Sequence, residues 1–313
     1  MTWQFTLTGL FVGTLVGMTG MGGGSLLTPL LVLAFGFKPT IAIGTDILHG
    51  AIFKSFGAVR HRRLGTVHLR LTCWMLLGSA PTSLGGVAVA DWIERRYGDG
   101  VESVQAKVLG AALILGGLGF LIKAFLRPKS IVEGPFLLQN RDRAVAVAIG
   151  LSGGFIVGLT SVGSGTFFGL MMLLVYPISA ALIIGTDIMH AAALLWVAGA
   201  GHIVAGNVDF GAMGWLLIGS IPGVLLTSQL TVKLPDRALR VALATVLTLS
   251  GIKLVETPYS VWIIPFGFVA GAAALLALAY RSWAARRVMI EAGAPLAVAE
   301  RERGTLATLR AER

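Results

Sequence analysis

Asp46 and His49 stand in the tract Gly44-Thr45-Asp46-Ile47-Leu48-His49, and the same arrangement returns as Gly185-Thr186-Asp187-Ile188-Met189-His190. On a helix the spacing puts each carboxylate and imidazole on one face. Such a pair can carry a proton, because the imidazole titrates near neutral pH. Helix capping is the other role open to the two aspartates, since Asp is a preferred N-cap and both lie near the expected starts of their helices. Lys54 lies further along the face of Asp46, whereas Leu195 takes its place in the second copy. It neutralises Asp46, or supplies positive charge to an anion, or snorkels to the cytoplasmic surface.

A second kind of chemistry is suggested by glycine. The tract Gly17-Met18-Thr19-Gly20-Met21-Gly22-Gly23-Gly24-Ser25 carries three consecutive glycines into an apolar run. Backbone N–H groups at the start of a half-helix from Ser25 lack intrahelical partners, and such an N-terminus attracts anions. The corresponding tract, Gly158 to Thr166, adds hydroxyls suited to an oxyanion. Candidate substrate contacts are therefore Gly22, Gly23, Gly24 and Ser25 with Thr160, Ser161, Gly163, Ser164, Gly165, Thr166 and Lys54. The candidate proton relay is Asp46, His49, Asp187 and His190. Close helix packing is the alternative use of the glycines. His61 and His202 are expected at helix ends as interfacial hydrogen-bonding groups, Pro81 and Pro222 as helix kinks, and Trp74 and Trp215 as packing residues.

What positions these groups is a duplication. The offset between the two tracts, 185 − 44 = 141, also relates Gly9 to Gly150, Gly13 to Gly154, His61 to His202, Ser79 to Ser220 and Pro81 to Pro222. Surviving matches are mostly Gly, Thr, Asp, His and Pro, so the halves share a geometry as well as a hydrophobic character. Of the 313 residues, 55% are hydrophobic and 13% charged, against roughly 25% charged in an average soluble domain. Mean hydropathy is +0.82, and runs such as Val104 to Leu126 and Arg237 to Val255 approach or reach the roughly 20 residues of a spanning helix. The class is an all-α integral membrane protein. Strict alternation is lacking, which excludes a β-barrel. Cys73 is the only cysteine, so no internal disulfide and no cysteine-built zinc or iron–sulfur site is possible. No cofactor or metal is expected. The early apolar segment lacks a preceding basic region and is read as retained rather than cleaved.

Basic loops set the topology. Arg60, Arg62, Arg63 and Arg70 form a dense patch, the corresponding loop His202 to Asp209 has no Lys or Arg, and the acidic and mixed stretch Asp91 to Glu102 is read as an external loop. Corresponding loops then lie on opposite sides of the membrane, and the formal net charge of +10 is explained by topology rather than by nucleic acid. The reading is two inverted-topology repeats, each a broken or re-entrant hairpin plus three spans, with one extra C-terminal helix. Boundaries are 1–126 for the first repeat, 127–143 for a cytoplasmic linker and 144–256 for the second repeat. An additional helix occupies 257–283 and a cytoplasmic tail 284–313. The hairpin pieces on either side of Gly158 to Gly165 are each expected to be short for a span, with two thin spans as the alternative.

With these motifs on the page, the chain resembles the sulfite exporter TauE/SafE family of membrane permeases. Gly17 to Pro29, Ala42 to Asp46, Gly65-Thr66-Val67, Gly206-Asn207-Val208-Asp209 and the repetition carry the resemblance. It implies a multi-pass bacterial inner-membrane permease that moves sulfite, organosulfonates or related anions, often outward. Asp46 and Asp187 depart from the small or hydroxyl residues many members carry there and mark a subgroup. Expected partners are a small anion, protons as coupling ion and the lipid bilayer, with the protein a monomer or a homodimer. The N-terminus is expected outside and the C-terminus in the cytoplasm. An anion channel or uniporter is the other transport reading. An intramembrane enzyme is less favoured, because no activated Ser, Cys or His-Glu-x-x-His arrangement is present.

Overall fold

The computed structural model describes residues 2–19, 24–97, 102–125, 136–165, 167–227 and 236–255, with isolated positions between 263 and 273. Every regular element in the described segments is a helix. They are α1 (Thr2–Thr19), α2 (Gly24–Phe35), α3 (Pro39–Arg63), α4 (Leu69–Tyr97) and α5 (Glu102–Phe125), then α6 (Asn140–Thr160), α7 (Phe167–Val175), α8 (Ala180–Val204), α9 (Phe210–Thr227) and α10 (Asp236–Val255). Helices satisfy their backbone polar groups internally, which is what apolar surroundings demand. By length and composition Leu69–Arg96, Asn140–Thr160 and Leu182–Val204 suffice to cross a membrane, and Leu26–Phe35, Ala106–Ile122, Phe210–Leu226 and Ala244–Val255 are shorter apolar helices.

Two expectations are corrected. The first piece of the second hairpin is not short: α6 has 21 residues, long enough to span, while α7 has only 9. The extra turn is polar, and Asp142 secures it by accepting from the backbone N–H of Gln139 at 2.9 Å. The polar stretch from Asp91, expected as a loop, is instead the last two turns of α4, where Arg95 pairs with Asp91 at 3.0 Å. An i,i+4 ion pair of this kind supports a helix surface. The expected additional helix, 257–283, and the tail, 284–313, lie largely or wholly outside the described residues.

The halves pack by exchanging contacts. α1 lies along α9, α4 along α6, α3 against α8 and α5 against α10. Glycine makes the first two pairings possible: Gly9 meets the carbonyl of Leu216 and Gly150 that of Met75, while Gly219 meets Thr6 and Gly78 meets Val147. A Cβ at any of these positions would collide with the facing backbone. Each contact and its mate are related by the 141-residue offset. Along α3 and α8 the registers run oppositely, Leu48 meeting Gly199, Gly50 meeting Leu195 and Gly57 meeting Ile188. Gly110 and Gly251, themselves repeat mates, meet each other where α5 crosses α10.

The connections are clamped across the halves in the same manner. Thr45 on α3 accepts from the backbone N–H of Asp209 at 2.9 Å, and Thr186 on α8 accepts from that of His68 at 2.9 Å. Gly65 and Gly206 take positive φ just beyond α3 and α8, ending each helix with the turn that feeds these clamps. The principal core gathers Ile47, Leu71, Met75, Ile149, Phe168, Met172 and Leu194 from both halves.

Candidate functional site

Asp46 is buried well inside α3, whose N-cap is Lys38, and Asp187 is buried well inside α8, whose N-cap is Ser179. The capping role is thereby removed for both. Asp46 Oδ2 instead accepts from two hydroxyls, Thr28 Oγ1 on α2 at 2.5 Å and Ser161 Oγ at the α6–α7 turn at 2.8 Å. One carboxylate oxygen thus joins α3 to α2 in the first half and to the α6–α7 turn in the second. Buried charge is costly unless it is hydrogen-bonded or paired, and these contacts meet part of that cost.

Lys54 supplies the counter-charge. It is buried at 3% exposure, so snorkelling does not occur. Its Nζ donates to Ser164 Oγ at 2.9 Å and reaches the Ser164 carbonyl at 3.4 Å. Both Asp187 and Asp46 act on the ammonium electrostatically. Asp46 and Lys54, on one helix of the first half, therefore both reach the single turn Ser161–Gly165 of the second.

That turn is built for close approach. Thr160, Ser161 and Ser164 are all buried, and Gly163 and Gly165 adopt φ of 127° and 107°, values that suit glycine. Ser161 also takes a left-handed conformation, φ 62°, at the C-cap of α6. A side chain there costs about 1–2 kcal/mol. The hydroxyl it brings to Asp46 gives a reason for a serine in that place, and the matching position in the first half is Gly20. The asymmetry is general: the mate of Thr28 is Gly169, and the mate of Lys54 is Leu195.

The histidines follow a different plan from the one expected. His49 Nε2 pairs with Ser220 Oγ at 2.8 Å, and His190 Nε2 pairs with Ser79 Oγ at 2.9 Å. These bonds are repeat mates, each linking an imidazole of one half to a serine of the other. The Asp–His pairs share a helix face, but each His is held by a serine rather than by its aspartate. His61 Nδ1 bonds Thr66 Oγ1 at 2.9 Å near the end of α3, as expected of an interfacial group. His202 departs from that expectation, being fully buried with Nε2 on the Gly158 carbonyl at 3.1 Å.

Among the proposed anion contacts, Gly24 and Ser25 open α2, while Gly22, Gly23 and Thr166 lie outside the described residues. Ser161 and Ser164 are brought to Asp46 and Lys54. Thr160 bonds its own helix at the Ile156 carbonyl, 2.7 Å away. Pro81 and Pro222 lie inside α4 and α9, two residues beyond the serines that hold the histidines. Sequence reasoning missed Thr28, Ser79, Ser220, Thr45 and Thr186 as partners. The signal for the last four was present, since each is a polar residue that survives at the repeat offset.

Relatives were found by sequence. The chain is 38% identical over 259 residues to the probable membrane transporter protein YjnA of Bacillus subtilis (strain 168), covering 82% of this chain and 100% of the relative. It is 24% identical to the probable membrane transporter protein YdhB of the same organism, over 78% of this chain and 96% of that one. To the probable membrane transporter protein YunE, again of that organism, it is 24% identical over 79% and 94% of the two chains. No solved structure matches significantly. With its helical fold and apolar helices, and with a family match running over residues 5–254, the chain belongs to the sulfite exporter TauE/SafE family and is a membrane transporter protein.

Proposed function

We propose that the protein is a proton-coupled secondary transporter, an exporter of a small sulfur-containing anion such as sulfite or an organosulfonate. It works by alternating access around a midplane site formed by Asp46, Lys54 and the Ser161–Gly165 turn, with Asp187 as the second carboxylate acting on Lys54. The observation that carries this reading is that α3 of one half holds, through Asp46 and Lys54, the hairpin turn of the other. The anion competes for those same groups. Ser161, Ser164 and Lys54 are donors fit for an oxyanion.

Charge balance supplies the coupling. Two carboxylates and one ammonium leave the site negative when all are ionised, which opposes an anion. A proton on Asp46 removes one negative charge and weakens its hold on the Ser161 hydroxyl, freeing that donor for the substrate. Anion and proton are therefore bound together. Support for two inverted repeats, α1–α5 and α6–α10, comes from the opposed registers of the repeat mates α3 and α8, as expected when a pseudo-two-fold axis lies across the helices. The basic patch Arg60 to Arg63 supports a cytoplasmic position for its end of α3 in a bacterial cell, with the N-terminus outside and the C-terminus inside.

Purified protein in proteoliposomes, given sulfite and a set of organosulfonates under an imposed pH gradient, tests the reading. The expected result is anion movement accompanied by protons and concentrated against its gradient. Flux that never concentrates the anion would identify a channel or uniporter, and no anion flux under any gradient would sink the reading altogether.

A further inference from the structure

A groove of about 620 Å³ runs along the outer seam of α3 and α8 and takes no part in the site above. Ser55, Val59, Arg62 and Arg63 line it from α3, and Ala193 and Trp196 from α8. At one end Trp196 Nε1 donates to Ser55 Oγ at 3.0 Å. These two residues are repeat mates, 196 − 55 = 141, so they mark the level at which the halves meet. At the other end Arg62 and Arg63 are exposed, and neither has a carboxylate partner among the described residues. The wall between is alanine and valine.

The dimensions and polarity match one leaflet. Ser55 to Arg63 spans about 12 Å at 1.5 Å per helical residue, close to half of the roughly 30 Å hydrocarbon core. Along the seam the charge is confined to one end, because the mates of Arg62 and Arg63 are Ile203 and Val204. The groove also faces away from the transport site, since Lys54 turns inward to Ser164 while Val59 and Trp196 are about half exposed. A small free anion would leave the apolar wall unfilled, and a neutral lipid would leave two guanidinium groups without a counter-charge.

We propose that this groove binds an anionic phospholipid, with the headgroup phosphate on Arg62 and Arg63 and one acyl chain lying along Val59 and Ala193 towards Trp196. Guanidinium suits the task because its planar fork bonds phosphate oxygens in pairs. The bound lipid would fix the α3–α8 seam at the end where Arg62 and Arg63 stand.

Trp196 provides the readout. Detergent-solubilised full-length protein is titrated with phosphatidylglycerol or phosphatidylcholine brominated near the chain ends, and the quenching that Trp196→Phe abolishes is taken as the groove signal. Phosphatidylglycerol is expected to act at roughly 30-fold lower concentration, from two arginines at an anionic headgroup, and the advantage should shrink as salt is raised. In the double variant Arg62→Gln/Arg63→Gln the preference should vanish while quenching by phosphatidylcholine remains. Should that variant fail to fold, the native lipid ratio and its salt dependence decide the question without it. Equal titration by the two lipids would overturn the proposal, as would an unchanged preference in the double variant. A lipid-independent dimer that shields Trp196 would overturn it too.

Discussion

Substituting Asp46 separates what its charge does from what its oxygen holds. Oδ2 accepts from Thr28 on α2 and from Ser161 at the α6–α7 turn, and an asparagine oxygen in the same place can accept both. Asp46→Ala removes the acceptor and strands two buried hydroxyls. Hydrogen bonds to a charged group contribute about 1.5–3 kcal/mol each, so the gross loss is about 3–6 kcal/mol. Relief of the buried carboxylate's desolvation, several kcal/mol, works the other way. The net destabilisation expected of Asp46→Ala is about 1–3 kcal/mol, with Asp46→Asn within about 1 kcal/mol of the native protein. Transport ranks the variants differently. Neither can take up a proton at that position, so both should lose gradient-driven anion flux by at least about tenfold. Thermal unfolding in detergent and flux from proteoliposomes, measured on the same preparations, give the two rankings. Native gradient-driven flux in Asp46→Asn would refute the proton role, and native stability in Asp46→Ala would refute a structural role for the bonds to Thr28 and Ser161.

Four further outcomes are expected. Ser79→Ala and Ser220→Ala each leave a buried imidazole nitrogen unsatisfied; each should lower stability by about 1–3 kcal/mol and by similar amounts, checked by chemical or thermal unfolding. Ser161→Ala loses the hydroxyl but keeps the left-handed strain, whereas Ser161→Gly loses both, so the glycine variant should be the more stable by about 1 kcal/mol in the same assay. Gly219→Ala drives a methyl into the Thr6 carbonyl and should cost several kcal/mol or prevent folding, while Gly214→Ala meets nothing within 4 Å and should be tolerated, as judged by yield and unfolding temperature. Lys54→Met removes the buried ammonium that donates to Ser164, and should abolish substrate-dependent thermal stabilisation by the transported anion.

Much of the candidate site was legible in the sequence because duplication preserves polar residues that apolar patterning does not require. Asp46, Asp187, His49 and His190 could be picked out in this way, and so could the asymmetry of Lys54 against Leu195. Their partners could not. A carboxylate near a helix start in the chain is equally suited to capping, and only the position of Asp46 deep in α3, past Lys38, removes that role. The i,i+3 spacing suggested that His49 serves Asp46. In the fold, the neighbouring helix of the other half presents Ser220 to it instead. Helix ends were misjudged where polar residues continued the helix, at Asp91 and at Asn140, because charge in the chain reads as loop until an i,i+4 pair or an end cap supplies a reason to stay helical.

By itself, then, the chain determined a helical membrane protein and its duplication, which follow from composition, periodicity and repeated short tracts, while motifs such as Gly17 to Pro29 and Ala42 to Asp46 carried the resemblance to its family. Only tertiary structure decided that the halves exchange partners, α1 with α9 and α4 with α6. It alone turned Lys54 inward to Ser164 rather than outward to the surface. The physical reason is that a side chain's hydrogen-bond partner across 110 or more residues depends on how glycine-lined helices approach one another, as at Lys54–Ser164 and Asp46–Ser161. That approach is set by three-dimensional packing, which no local pattern in the chain encodes.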